Sequence, residues 1–357
     1  MSDELTPHRE KIDALDEQLV QLFNQRLESA AAIGEIKKRQ GAPIYVPERE
    51  EEVFRKVCQH NQGKLPNAAL RAIYREIMSA AIALEKETVI AFLGPEATFT
   101  HQAALKKFGV SLHYKALPSI ADVFHLVESG EADYGVIPIE NSTEGAVFHS
   151  LDMLVDSDLK IVSQLYLEIK HALLTEQTDL SKIQEVYSKD QAIGQCRHWL
   201  QTNLPQARLV DTASTAHAVQ LVKNRPDCAA IASTLAGEMH GVPVLRESIQ
   251  DKSDNITRFL IVGKQPTAPT STESKTSIVI SINDEVGALQ KAIAPFSSRK
   301  LNLCKIESRP SRKRPWDYYF FIDFIGHHDE PQVQEALQDL RRICPLVKWL
   351  GSYPNIS

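Results

Sequence analysis

Apolar residues recur at helical spacing through the first ninety or so positions and afterwards gather into short runs of strand length. From Ile12 a heptad-like series runs through Leu15, Leu19, Leu22, Arg26, Ser29, Ile33 and Ile36, with no proline between Pro7 and Pro43. Positions 8–39 therefore predict one helix, ~48 Å long at ~1.5 Å per residue. A small domain does not bury a helix of that length alone, so it is expected to pack against a partner chain. Gly41, Pro43 and Pro47 break it, and Pro47 is placed to open a second helix, where a missing N–H is harmless. Asn61, Gly63 and Pro66 end that one, and the alanine-rich stretch 67–87 predicts a third.

From Thr88 the pattern changes. Val89–Leu93, Tyr134–Ile139, Ala229–Ala232 and Phe259–Val262 read as strands, alternating with helical patterns over 119–129, 190–201 and 214–223. Such alternation predicts an α/β domain with a largely parallel sheet. Gln265–Lys275, rich in Pro, Ser and Thr and without apolar periodicity, reads as a linker. Beyond it come a strand at 276–282, a helix at 287–299, strands at 301–308 and 316–325, a helix at 331–343 and a strand at 346–351. That is βαββαβ, the ferredoxin-like order. Three domains are expected: an all-α domain over 1–87, an α/β domain over 88–265 and an α+β domain over 276–357.

Composition narrows the partners. With 357 residues the chain is too long for one core, in keeping with two or three domains. Its 46 acidic against 40 basic residues leave a net charge of −6, which argues against nucleic acid. No apolar run reaches the roughly 20 residues of a membrane helix. MSDELTPHRE carries no apolar stretch behind a basic start, so a cytoplasmic location is expected. Cys58, Cys196, Cys228, Cys304 and Cys344 are scattered and odd in number, which reads as reduced thiols without disulfides or a zinc site.

In the first segment, Arg26 occupies an apolar slot of the heptad, where an arginine either snorkels, pairs at a subunit contact or meets a ligand. Lys37 lies three turns on, on nearly the same face. Arg9 lies ~25 Å before Arg26 along the axis, so one small anion could meet both only where helices of two chains cross. HREKIDALDEQL, NQRLESAAAIGEIKK and PERE, in that order and spacing, resemble the AroQ-type chorismate mutases, which are intertwined helical dimers. The resemblance implies that Arg9 reaches into the partner subunit's site, while Arg26, Lys37, Arg49 and Glu50 act within their own. The arginines would pair with the two carboxylates of chorismate. Lys37 would donate to the ether oxygen, where negative charge grows as the C–O bond breaks. Glu50 would accept from the ring hydroxyl. An intramolecular rearrangement needs no nucleophile, metal or cofactor. Three positions depart from the family pattern: Glu85 stands for a glutamine that donates to the ether oxygen, Val46 for an aspartate and Ala81 for a serine. A protonated Glu85 would still donate, so mutase activity would fall as pH rises through its pKa.

In the middle segment, polar clusters stand beside strand ends, where open α/β sheets bind ligands. They are Thr98-Phe99-Thr100, Glu140-Asn141-Ser142-Thr143, Ser214-Thr215-Ala216 and Asn255–Phe259. Ser and Thr in such places also cap helices, whereas Arg258 beside a strand start is a ready carboxylate partner. GPEATFT, PIENSTEGAV, STAHA and NITRF resemble prephenate dehydratase across nearly all of 88–265. This implies two α/β lobes with a cleft, as in periplasmic binding proteins, and loss of water and carbon dioxide from prephenate to give phenylpyruvate. Thr257 is then the hydrogen-bond donor to the leaving hydroxyl, Arg258 the carboxylate anchor, and Phe259 part of the ring pocket. Thr98, Phe99, Thr100, Asn141, Ser142 and Thr215 are expected to contact substrate, and Glu140, if protonated in the cleft, is the rival acid. Phe148 and Asp190 stand where relatives often carry asparagine and proline.

In the last segment, Gly287-Ala288-Leu289 opens a helix, either as a tight turn or as an N-terminus that a carboxylate can approach. With LNLCKIESRP and WDYYFFIDF it resembles the ACT regulatory domain of prephenate dehydratases over 276–351, although Val286 replaces a common proline. The resemblance implies that Glu307 and Ser308 face a second subunit's turn at Gly287, Ala288 and Leu289, enclosing L-phenylalanine. His327-His328-Asp329-Glu330 is expected to be a solvated turn, not a metal site. Together the segments resemble the bifunctional chorismate mutase–prephenate dehydratases. This implies chorismate and prephenate as substrates, L-phenylalanine as effector, no cofactor, no metal, and a homodimer or a tetramer. The rival readings are a dehydratase whose helical segment only dimerises, and a non-catalytic amino-acid sensor.

Overall fold

The computed structural model describes residues 5–40, 45–269, 273–311 and 318–355. Gly41, Pro43, three positions of the expected linker and the first two of the strand expected at 316–325 lie outside these. The chain forms two compact units, one running to Thr88 and including Phe108–His113, the other holding Val89–Lys107 and everything from Tyr114.

The first unit is built on helices Thr6–Gln40, Pro47–His60 and Asn67–Glu85. At 35 residues the first helix is ~52 Å long. Its apolar series stays open, with Ile12, Leu15, Leu19, Leu22 and Ile33 exposed, and Gly34 is its one residue recorded as buried. A Cβ at Gly34 would lie 2.5 Å from Glu85 Cγ, so any larger residue here would force the Glu85 side chain to move. Pro47 opens the second helix as expected, with the Val46 carbonyl accepting from Arg49 N at 3.0 Å and Glu50 N at 3.1 Å.

The second unit carries two α/β lobes. In the first, the strand order is His113–Leu117, Val89–Leu93, Tyr134–Asn141, Ile256–Gly263, Lys160–Glu168, with Gly145–Ala146 paired to Tyr134–Asn141. In the second it is Val244–Arg246, Ala172–Leu174, Cys228–Ala232, Glu185–Ser188, Arg208–Asp211. Both sheets are mixed and not largely parallel. Ile256–Gly263 returns antiparallel between two strands from much earlier in the chain, and Ala172–Leu174 runs antiparallel to both its neighbours. The helix expected over 190–201 divides at Cys196 into Asp190–Gln195 and Arg197–Asn203. The cause is Asp251, whose carboxylate accepts from His198 N at 2.9 Å and Trp199 N at 3.0 Å and so caps a new N-terminus.

The last segment forms an antiparallel sheet in the order Leu303–Pro310, Tyr318–Ile325, Ser274–Ser281, Leu346–Pro354, with helices Ala288–Ser298 and Pro331–Ile343. One face buries Ile278, Ile280 and Phe324 against Phe296 and Leu337 of the helices. The other presents Val279, Phe321, Leu350 and Tyr353 to Ile137, Leu260 and Val262 of the first lobe, forming a single core. That shared core makes the last two segments one unit, because a sheet buried on both faces needs cover on both. The start of the expected linker is pinned too: the Thr267 hydroxyl bonds the Ser352 carbonyl, and His327 Nε2 lies 3.3 Å from the Thr267 carbonyl. Among the described residues no helix is long and apolar enough to cross a membrane.

Candidate active sites

Two of the expected cations of the first unit, Arg26 and Lys37, lie against the third helix. The Arg26 guanidinium lies 5.9 Å from the Tyr74 ring centroid, a cation–π contact. Lys37 is close enough to Glu85 to act on its titration. Burial pushes the Glu85 carboxyl above its usual range and the Lys37 charge pulls the other way, with burial winning. Glu85 Oε2 is buried and has no hydrogen-bond partner among the described residues. Glu50 accepts from the Tyr45 hydroxyl at 3.0 Å. Arg49 is exposed and pairs with Glu52 at 2.6 Å. Arg9 sits in the opening turns of the first helix, ~25 Å from Arg26 along its axis, so a single chain does not bring those two together. Ala81 is buried within the third helix.

In the second unit a cavity of about 980 Å³ opens between the lobes. Of the expected residues, Thr98, Phe99, Thr100, Asn141, Thr215, Thr257 and Phe259 line it. Some also cap: Thr98 Oγ1 accepts from His101 N at 3.4 Å at the start of the helix Phe99–Phe108, and Ser214 Oγ accepts from His217 N at 3.0 Å at the start of Thr215–Val222. The two readings of these hydroxyls are therefore compatible.

Alternation along two paired strands decides the remainder. Thr257 stands opposite Asn141, Arg258 opposite Glu140 and Phe259 opposite Pro138. Thr257, Asn141, Phe259 and Pro138 face the cavity, so Arg258 and Glu140 point to the other side of the sheet. The pairing slips by one residue between Arg258 and Phe259, which lets Pro138 and Asn141, three apart, share a face. Arg258 is consequently not a cleft anchor. It is buried, donating from Nη1 to Asp323 Oδ2 at 2.6 Å, from Nη2 to the Tyr353 hydroxyl at 2.8 Å and from Nε to Gln164 Oε1 at 3.0 Å. Burial opposes its charge, and the Tyr353 and Asp323 oxygens outweigh burial, so it stays a guanidinium. Glu140 likewise faces away from the cavity and forms an ion pair with Lys305 at 2.5 Å, so it does not stand in the cleft as the rival acid. Ser142 is a strap outside the cavity lining, donating to the Asp254 carbonyl at 3.0 Å and accepting from Ile256 N at 2.9 Å.

A polar relay behind Thr257 was not apparent from sequence. Asn141 Oδ1 accepts from Thr143 N at 2.9 Å and Glu144 N at 3.0 Å, which fixes the amide so that Nδ2 donates to Thr257 Oγ1 at 2.8 Å and to Asn255 Oδ1 at 2.7 Å. Asn255 Nδ2 donates to Gln195 Oε1 at 3.0 Å, and His171 Nε2 donates to the same oxygen at 2.9 Å. Because Asn141 donates to Thr257, the threonine proton is left for the cavity. His171 stands edge-on to Phe99 at 5.4 Å, and burial pushes its pKa down, so the ring is neutral. No local pattern marks His171 or Gln195, since their partners are remote in sequence.

In the C-terminal sheet, Gly287 has φ +80°, a left-handed turn that glycine adopts without strain, and it caps the helix containing Ala288 and Leu289. Val286 is fully exposed beside it. Glu307 and Ser308 lie on Leu303–Pro310, one of the sheet's two edge strands. The turn at His327-His328-Asp329-Glu330 is only partly solvated: Asp329 is exposed, whereas His327 is buried and His328 stacks on Trp349 at 4.0 Å.

The chain matches the families described as Chorismate mutase type II over residues 8–86, Prephenate dehydratase over 90–267 and ACT domain over 276–342. It is 45% identical over 357 residues to the bifunctional chorismate mutase/prephenate dehydratase of Aquifex aeolicus, covering 99% of this chain and 98% of that protein. Among solved structures it is similar to a prephenate dehydratase from Arthrobacter aurescens in complex with L-Phe, with a TM-score of 0.69 and 34% identity, covering 75% of this chain and 90% of that one. It is also similar to GqqA, described as a novel type of quorum quenching acylase, with a TM-score of 0.67 and 27% identity, covering 74% of this chain and 97% of that one. The fold alone thus does not name a reaction.

Proposed function

The chain belongs to the bifunctional chorismate mutase/prephenate dehydratase family, and from that premise we propose that it converts chorismate to prephenate and prephenate to phenylpyruvate under restraint by L-phenylalanine. The observation that carries the reading is the cavity in which Thr257, Asn141 and Phe259 of one lobe meet Thr215 of the other. The cleft's His171 bonds to Gln195, an amide, and not to a hydroxyl. It is therefore not arranged as the base of a serine-type acylase.

For the rearrangement, Arg26 and Arg49, with Arg9 of the partner subunit, hold the two carboxylates of chorismate in a compact conformer, and the apolar face of the long first helix packs in a homodimer. Lys37 and a protonated Glu85 donate to the ether oxygen as the C–O bond breaks. Glu50 accepts from the ring hydroxyl. Glu85 gives a pH signature. It donates only while protonated, so the mutase rate is high below its raised pKa and falls as pH rises through that value. In Glu85→Gln the decline disappears, because an amide donates at every pH. Identical pH–rate profiles for the two proteins would exclude this role.

For the dehydration, the C–carboxylate bond of prephenate breaks and releases carbon dioxide, its electrons pass into the ring as the new double bond, and the hydroxyl is expelled from the opposite ring carbon, taking one proton from solvent to become water. Thr257, oriented by Asn141, donates a hydrogen bond to that departing oxygen, and Phe259 walls the ring. With Arg258 turned away, the carboxylates are taken by Lys189 and the helix starts at Phe99 and Thr215, which line the cavity. In this reading the C-terminal sheet and its helices are a ferredoxin-like module, and Gly287, Ala288 and Leu289 face a second subunit's Glu307 and Ser308 with L-phenylalanine between. Supplied prephenate should give phenylpyruvate, and added L-phenylalanine should slow its formation. A rate indifferent to L-phenylalanine would contradict the regulatory part and leave the catalytic part standing.

A further inference from the structure

The strand that carries Thr257 into the cleft carries Arg258 out of its back. Each of the guanidinium's three nitrogens donates one hydrogen bond: Gln164 lies on a neighbouring strand of the same sheet, whereas Asp323 and Tyr353 belong to the C-terminal sheet. Asp323 and Tyr353 are themselves held together, since Ser277 Oγ donates to Asp323 Oδ1 at 2.5 Å and lies 2.7 Å from the Tyr353 hydroxyl. The five side chains form one buried network spanning two sheets, of the kind that holds its members in a single arrangement. Two further ion pairs cross between the same bodies. Lys305 meets Glu140, directly beside Asn141, and Arg309 grips Asp152 through Nε at 2.9 Å and Nη2 at 2.7 Å. Both members of the Thr257–Asn141 hydrogen bond thus have a chain neighbour, Arg258 or Glu140, tied to the C-terminal sheet.

We propose that Asp323 and Tyr353 of the C-terminal sheet are positioning residues for the cleft, acting through Arg258 to hold the Thr257 hydroxyl where the leaving oxygen will be. The C-terminal sheet is then the back wall of the site and not an appendage to it. The proposal rests on the dehydratase reading of the cavity. It also accounts for an arginine next to Thr257 that touches nothing in the cleft: its ligand is an internal carboxylate 65 residues on.

Tyr353→Phe in the full-length protein tests this, because it removes one hydroxyl from the network, keeps the buried ring and changes a residue that does not line the cavity. Prephenate kcat is expected to fall about tenfold, with KM and chorismate turnover unchanged. A loss routed through Thr257 has a further signature: Tyr353→Phe added to Thr257→Val lowers kcat no further, whereas general loosening of the fold multiplies the two losses. Arg258→Lys, which keeps the charge and loses the three-way geometry, is likewise expected to lower kcat at constant KM. Wild-type kcat in Tyr353→Phe, with Arg258→Lys acting on KM alone, would overturn the proposal and return Arg258 to the substrate. If the wild-type protein does not dehydrate prephenate, the dehydratase reading fails and the proposal with it. If the wild type turns over and Tyr353→Phe matches it, the proposal alone fails.

Discussion

Thr257→Val is expected to lower the kcat of prephenate dehydration by about 10²–10³-fold, the usual effect of removing one preorganised donor from a developing negative charge. Valine matches threonine in shape, so the buried strand keeps its packing. Asn141 Nδ2 loses one acceptor and retains Asn255 Oδ1 at 2.7 Å, which limits the stability cost to about 1 kcal/mol. Chorismate rearrangement should proceed at the wild-type rate, because Arg26, Lys37 and Glu85 lie in the other compact unit. Phenylpyruvate formation and chorismate loss, followed on one preparation, separate the two effects. Dehydration close to the wild-type rate in this variant would remove Thr257 from the chemistry.

Lys37→Met is the reciprocal case. Loss of the ammonium at the ether oxygen should lower chorismate turnover by about 10²–10³-fold, while supplied prephenate is dehydrated normally. The same change alters a neighbour. The Lys37 charge pulls the Glu85 pKa down against burial, so without it the Glu85 carboxyl titrates still higher. The residual mutase rate of Lys37→Met should therefore begin to fall at higher pH than in the wild type. A residual rate that declines at the wild-type pH would show that the two groups are not coupled.

Much of the architecture was legible because prolines, glycines and apolar periodicity act locally. Pro47 marks a helix start on its own, and Val89–Leu93 is a strand by composition. Chain order says nothing of which strands become neighbours, so the antiparallel return of Ile256–Gly263 was not foreseen and the sheet was expected to be largely parallel. The division of the 190–201 helix likewise depends on Asp251, which is distant in sequence. The site divides along the same line. Thr257 and Phe259 could be read from a motif, and so could the presence of an arginine between them. Which way that arginine points follows from strand alternation, and what it meets follows from the docking of a later sheet. An arginine beside a strand start is a ready carboxylate partner, as expected, but the carboxylate is Asp323. Asn141 was legible as a polar residue after a strand, whereas its role in orienting Thr257 needed the two turn amides that fix its side chain.

The central claim is that one chain performs two successive reactions at two separate places. Chorismate supplied alone to the purified protein, with chorismate, prephenate and phenylpyruvate followed together in time, tests it most directly. Chorismate should disappear, prephenate should rise and then fall, and phenylpyruvate should accumulate to match the chorismate consumed. Chorismate left untouched, or prephenate accumulating with no phenylpyruvate, would contradict it.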